Sequence, residues 1–235
     1  MQLEDKTVVV TGGSDGIGKH ICLKLAAQKC RLAIIGRDTA RLSAVQAQCT
    51  SLGAPRVETY ACDIQDSAAL NATAKTMMQD FGAIDILINN AGIWHKAGPL
   101  DTIAPDMLTA TVQTNLTALM QLTQALIADL RAREEAIILN IASKSGVVAQ
   151  GGQSVYTATK YGVRGFTEVL KVDEQDSGIR VAGLYQSGTN TGMFAKANED
   201  VPNHVFTEPG DLAEVVVFML SQPPKIWLHD VRVEL

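Results

Sequence analysis

The chain has 235 residues, 46% of them apolar and 19% charged, and a formal net charge of −5. That balance suits a globular protein able to bury a core without disulfides or a structural metal. It excludes the basic surface that binding to a nucleic-acid backbone requires, so no nucleic-acid partner is expected.

The cysteines, Cys22, Cys30, Cys49 and Cys62, form no CxxC pair and lack ligand spacing with the four histidines. They read as free, mostly buried thiols in a reducing compartment, with no metal. The stretch Met1–Lys6 has no apolar segment of the kind that a signal peptide needs. No run reaches the roughly twenty apolar residues of a membrane-spanning helix. The expectation is a cytoplasmic protein with no membrane partner.

Short β-branched runs alternate with longer amphipathic segments, the pattern of βαβ units on a parallel sheet. Strands are expected at Thr7–Thr11, Arg31–Ile35, Arg56–Ala61, Ile84–Asn89, Ala136–Ile141, Arg180–Leu184 and Val231–Leu235. Several are continuously apolar, as strands covered on both faces are. Helices are expected at Ile17–Gln28, Thr39–Ser51, Ser67–Phe81, Asp106–Arg131, Val155–Gln175 and Asp211–Ser221. The fold class is therefore α/β, a doubly wound parallel sheet of Rossmann type, as a single domain over residues 1–235. The irregular stretch 187–209 has the length of a substrate loop or lid, although a passive surface excursion reads as well.

The first strand runs into Thr11-Gly12-Gly13-Ser14-Asp15-Gly16-Ile17-Gly18, and a helix follows. Strand, glycine-rich turn and helix N-terminus together form an anion site, where backbone N–H groups and the helix dipole face a pyrophosphate. Gly12, Ser14, Asp15, Gly16, Ile17 and Gly18 are its candidate residues. At the second turn, Gly36-Arg37-Asp38, no carboxylate ends the strand, and a guanidinium stands where a 2′-phosphate would lie. Arg37 thus favours NADP(H) over NAD(H), with Asp38 as the alternative acidic partner of a ribose hydroxyl.

The strongest signal is Ser143 followed thirteen residues later by Tyr156-Thr157-Ala158-Thr159-Lys160. Tyr156 and Lys160, four apart at a helix start, project from one face. A lysine ammonium there is expected to lower the phenol from its usual value of about 10. Ser143 ends a strand on the side of a doubly wound sheet where ligands gather. Asn89-Asn90-Ala91-Gly92 closes the fourth strand, and Asn115 sits mid-helix, where an asparagine costs propensity.

These motifs, TGxxxGxG, NNAG, the mid-helix asparagine and Ser-x12-Tyr-x3-Lys, resemble the short-chain dehydrogenase/reductase family in order and spacing, from Lys6 to Val233. The resemblance implies a catalytic tetrad of Asn115, Ser143, Tyr156 and Lys160. Tyr156 would be the general acid or base, and Ser143 would orient a carbonyl. Lys160 would bind nicotinamide ribose, and Asn115 would hold a relay water. It also implies that Asp63 and Ile64 bracket the adenine and that Asn90, Ala91, Gly92, Gly188 and Thr191 line the cofactor.

The sequence departs from the family after the sixth strand, where Gln186-Ser187-Gly188 replaces the usual Pro-Gly, so that Ser187 should leave a looser corner. Trp94, His95, Gln150, Tyr185, Met193 and Phe194 are candidate pocket walls, Trp94 and Phe194 reading equally as packing residues. The implied activity is hydride transfer between the nicotinamide and a small carbonyl or alcohol substrate. A non-catalytic dinucleotide sensor or scaffold is the rival, and dehydration or epimerisation on the same fold a third reading. By resemblance, a homodimer or homotetramer forms through the helices Asp106–Arg131 and Val155–Gln175.

Overall fold

In the computed structural model, which describes residues 1–234 with the Asn203 side chain excepted, the apolar runs become seven strands. They are β1 (Thr7–Thr11), β2 (Arg31–Gly36), β3 (Val57–Ala61), β4 (Ile86–Asn89), β5 (Ala136–Ile141), β6 (Ile179–Gln186) and β7 (Asp230–Val233). The helices between them are α1 (Gly16–Ala27), α2 (Thr39–Ser51), α3 (Ser67–Phe81), α4 (Pro105–Val112), α5 (Ala118–Arg131), α6 (Ser154–Asp173), the single turn α7 (Met193–Lys196) and α8 (Pro209–Ser221). The strands form one parallel sheet in the order β3-β2-β1-β4-β5-β6-β7. The order reverses beside β1, and in such sheets ligands bind beyond the carboxyl ends of the strands at that reversal.

The sheet is apolar on both faces because both are covered by helices. Along β1, Val8 and Val10 pack with Ile21 and Leu25 of α1 and with Leu212 and Val216 of α8. Val9 faces the other way, into a cluster with Leu70 and Met77 of α3 and Leu122 and Leu126 of α5. Helix starts are set by side-chain caps. Asp38 accepts from the Arg41 N–H, Asp66 accepts from those of Ala68 and Ala69, and Pro105 and Pro209 occupy first-turn positions where the missing N–H costs nothing. All four cysteines are buried and free.

Several element ends shift by one or two residues from the sequence reading, those of β3, β4 and β7 among them. β3 starts at Val57, because Arg56 turns outward to stack over Phe81 and pair with Glu58. β4 starts at Ile86; before it, the Ile84 N–H donates to the Asp129 carboxylate at 2.8 Å and the Asp85 carboxylate accepts from the Thr7 N–H at 2.9 Å. β7 runs Asp230–Val233, and Leu235 lies outside the described residues.

The expected helix Asp106–Arg131 is not continuous. A π-helical segment, Gln113–Thr117, separates α4 from α5. The inserted residue breaks the 3.6-residue repeat, and Asn115 within it is buried and faces the strand ends.

Candidate active site

The phosphate turn is shaped by backbone that only glycine adopts easily: Gly12 has φ +66° and Gly16 φ +51°. Gly18 has another function. A Cβ there would lie 2.3 Å from the Gly12 carbonyl oxygen and 2.4 Å from Asn90 Nδ2. The NNAG segment is stitched under the turn. Thr11 Oγ1 accepts from the N–H groups of Asn90 and Ala91, each at 3.0 Å, and Asn90 Nδ2 donates to the Thr11 carbonyl at 2.9 Å.

Asp15 caps α1, accepting from the Gly16 N–H at 2.8 Å, and also meets Arg41 at 3.0 Å and Lys196 of α7 at 2.7 Å. The Lys196 hydrogen bond, helped by the Gly16 N–H and Arg41, holds its carboxyl below the usual range against the effect of burial. The acidic residue in the turn is thus neutralised by two cations.

At the second turn, a Cβ on Gly36 would stand 2.8 Å from Ser14 Oγ, so the strand end has no room for a carboxylate. Arg37 lines the cleft. Asp38 is committed to the first turn of α2 and to Arg41.

β5 delivers Ser143 at its carboxyl end, and its Oγ accepts from the Ser145 N–H at 3.1 Å. The first two turns of α6 carry Tyr156 and Lys160, 7% and 5% exposed. A buried amide–hydroxyl chain fixes these elements together. Asn89 donates to Thr123 of α5 and to Asn140 of β5, and Asn140 donates to Thr167 of α6.

Burial pushes the Tyr156 phenol up to about 12, with the Ser143 hydroxyl pulling the other way, and pushes the Lys160 ammonium down to about 8. The expected lowering of the phenol by the ammonium is therefore corrected. Lys160 Nζ lies 5.6 Å from the ring centroid and donates to the Ile141 carbonyl at 3.2 Å. In this arrangement desolvation outweighs the charge effect.

Asn115 binds the loop after β4, donating through Nδ2 to the Ile93 carbonyl at 2.9 Å and accepting from the Ile93 N–H at 2.7 Å. A Cβ built on Gly92 would lie 3.4 Å from Asn115 Oδ1 and 3.8 Å from Lys160 Nζ, so Gly92 stands between these two side chains at ordinary contact distance.

These groups share one cleft of about 770 Å³, within the range of small-molecule and cofactor sites. At one end lie Arg37, Asp63 and Ile64, and along the floor Gly12, Ser14, Asp15, Gly16, Ile17, Asn90, Ala91 and Gly92. Ser143, Tyr156 and Lys160 line the other end, Gly188 lines the same cleft, and Thr191 stands over the phosphate turn, 3.4 Å from where a Gly16 Cβ would be. A long groove with glycine backbone in its middle and a guanidinium at one end fits an extended dinucleotide. Of the expected site residues, Gly18 and Asn115 stand behind this surface rather than on it.

Two of the expected pocket walls are also corrected. His95 is buried behind Trp94, stacked on it at 5.8 Å, and Tyr185 is buried with its ring folded over Gly183. Trp94, Gln150, Met193 and Phe194 do face the cleft. The corner at Ser187, expected to be looser without the proline, is tied by backbone pairing on both sides. Ser187 donates to Val233 at 2.9 Å, Thr207 to Gly188 at 3.2 Å and Asn190 to Thr207 at 2.9 Å. Sequence reasoning missed Ser145, Gln153, Lys196, Glu199 and Phe206, all of which line the cleft. No local pattern marks them, because long-range packing brings them there.

Among the described residues no helix is long and apolar enough to cross a membrane, and no cluster of three or more His, Cys, Asp or Glu side chains is arranged to hold a metal.

Comparison with known proteins agrees with this geometry. Residues 6–202 match the family model described as short chain dehydrogenase. The chain is 29% identical to D-beta-hydroxybutyrate dehydrogenase of Cupriavidus necator, covering 97% of both chains. It is 31% identical to carbonyl reductase family member 4 of Xenopus laevis, over 93% of this chain and 92% of that one. A metagenomic short-chain oxidoreductase solved in complex with NADP superposes with a TM-score of 0.86 at 30% identity, covering 100% and 98% of the two chains. The 3-ketoacyl-(acyl-carrier-protein) reductase of Brucella melitensis, complexed with NADH, gives 0.87 at 28% identity, covering 99% and 98%. The glycine turn, the Ser-Tyr-Lys constellation and these likenesses agree: the chain belongs to the short-chain dehydrogenase family of NAD(P)-dependent oxidoreductases.

Proposed function

We propose that the protein is an NADP(H)-dependent carbonyl reductase, or alcohol dehydrogenase in reverse, whose proton donor is Tyr156. The observation that carries this reading is a buried, protonated phenol beside Ser143, over Lys160, at the apolar end of a dinucleotide-shaped cleft.

The cofactor assignment rests on Arg37, on Asp38 being committed to α2, and on the lack of room for a carboxylate at Gly36. A guanidinium recognises a 2′-phosphate with both charge and paired donors. Gly12, Ser14, Asp15, Gly16, Ile17 and Gly18 form and support the pyrophosphate turn. Asp63 and Ile64 flank the adenine. Asn90, Ala91, Gly92, Gly188 and Thr191 receive the nicotinamide riboside together with Tyr156 and Lys160.

When bound, NADPH would supply the hydride for the carbonyl carbon. Ser143 donates to the carbonyl oxygen and orients it. Tyr156 transfers its phenolic proton to that oxygen as negative charge develops there. Lys160, still protonated at neutral pH, stabilises the resulting phenolate. Asn115, across Gly92 from Lys160 Nζ, positions the water through which the proton is replaced. The 187–209 stretch, with α7 in it, serves as the substrate lid.

The assembly is a homodimer or homotetramer in the cytoplasm, acting on a small carbonyl or alcohol substrate. The half-exposed Met107 and Leu108 of α4 and the exposed Val169 and Val172 of α6 favour association through these helices. The reduced, buried cysteines suit that compartment.

The test is a titration with NADPH and with NADH, followed by nicotinamide fluorescence. Tight NADPH and weaker NADH binding are expected. The reverse preference would transfer the assignment from Arg37 to Asp38, and binding of neither would overturn the reading.

A further inference from the structure

The substrate end of the cleft is walled by aromatic rings. Trp94 meets the Tyr156 ring edge-on at 4.7 Å, Phe194 packs on Trp94 at 5.4 Å, and Phe206 follows at 5.6 Å. Phe206 is seated on Gly188, where a Cβ would lie 2.5 Å from its ring. Opposite them stands a neutral polar rim. Ser145 donates to Gln153 at 2.9 Å, and Gln150 donates to Ser145 and accepts from Gln153, each at 3.3 Å.

The charges at this end are unusual for a site that would take an acid. Glu199 lines the cleft, and its carboxylate accepts the indole N–H of Trp94, the ring that touches Tyr156. Each cation lining the cleft is placed or occupied elsewhere. Lys196 is on Asp15 at 2.7 Å, Lys144 on Glu234 at 3.0 Å, and Lys160 lies under Tyr156 on the Ile141 carbonyl; Arg37 is at the far end.

Resting on the reductase reading, we propose that the substrate is an uncharged, ring-bearing ketone or aldehyde, and that Glu199 is the residue that turns away carboxylate-bearing compounds. A carboxylate entering here loses its hydration, meets no free cation and faces a like charge. A ring gains apolar contact on three sides, and edge-to-face geometry is already set by the walls. The polar rim offers a second oxygen of the substrate a neutral hydrogen-bond partner. Such discrimination comes from a repulsive element as much as from an attractive one.

The experiment uses a matched pair, methyl benzoylformate and benzoylformate, which share one aryl ketone and differ in charge. Each is titrated calorimetrically into the full-length protein saturated with 1,4,5,6-tetrahydro-NADP, whose nicotinamide ring is uncharged like that of NADPH and cannot pass a hydride. The ester is expected to bind at least about tenfold more tightly than the acid. In Glu199→Gln, which keeps an acceptor for the indole, the acid should tighten severalfold while the ester stays within about twofold. Equal or tighter binding of the acid, an unchanged ratio in Glu199→Gln, or binding of neither compound would overturn the proposal. Reduction of the bound ester by NADPH that is unaffected by Tyr156→Phe would instead overturn the reductase mechanism, leaving the charge selection standing.

Discussion

The buried lysine at the centre of the site has a consequence for stability that is calculable. Burial lowers Lys160 from 10.5 to about 8, so the unfolded chain binds the proton more tightly than the folded one between those values. Stability rises with pH wherever the unfolded state binds more protons. Near pH 7 the charged Lys160 costs the fold about 3 kcal/mol, and by pH 10 the cost falls below about 1 kcal/mol. Four buried thiols, Cys22, Cys30, Cys49 and Cys62, are all raised by burial and work in the opposite sense above pH 9. The informative quantity is therefore the difference between the protein and Lys160→Met, which removes the charge and keeps much of the volume. Urea unfolding at pH 7, 8, 9 and 10 should show the variant's relative advantage shrinking by about 2–3 kcal/mol across that range. A difference independent of pH would refute the claim that Lys160 is held as a desolvated cation.

Other predictions concern the cofactor end. Arg37→Ala should weaken NADPH binding about 10- to 100-fold, the worth of a charge-assisted hydrogen bond, and leave NADH binding unchanged by the same fluorescence titration. Gly18→Ala should lower the melting temperature and abolish dinucleotide binding, since its Cβ would stand 2.3 Å from the Gly12 carbonyl oxygen and the turn must move. Lys196→Ala should leave the melting temperature unchanged, because its pair with Asp15 is solvent-exposed. It should also weaken NADPH binding severalfold, about 1 kcal/mol, by exposing the Asp15 charge to the phosphates.

Much of this site was legible in the sequence because its chemistry is local. The strand–turn–helix around Gly12–Gly18 and the i, i+4 pair Tyr156 and Lys160 each need only nearby residues, so their spacing shows them directly. The strands β4 and β5 were legible because they are buried on both faces and cannot afford a polar interruption except at the bonded Asn89 and Asn140. The π-helical segment at Gln113–Thr117 was not, since one extra residue in a long amphipathic run leaves apolar spacing nearly intact.

His95 and Tyr185 were misplaced for a different reason. Each neighbours a cleft residue in the chain, but Trp94 and Gln186 take the exposed positions and their neighbours turn inward. The direction of the Tyr156 shift was misread because proximity of a lysine in sequence does not reveal how dry the site is. Phe206, Lys196 and Glu199 reach the cleft through contacts with Gly188, Asp15 and Trp94, far apart in the chain.

The most direct test of the account is single-turnover oxidation of NADPH by a neutral aryl ketone, comparing the protein with Tyr156→Phe at pH 7. With Tyr156 as the proton donor, the variant binds NADPH as the parent does and loses hydride transfer by a factor of about 10² to 10⁴, the contribution of a positioned general acid. Transfer at the parental rate in Tyr156→Phe would contradict that role.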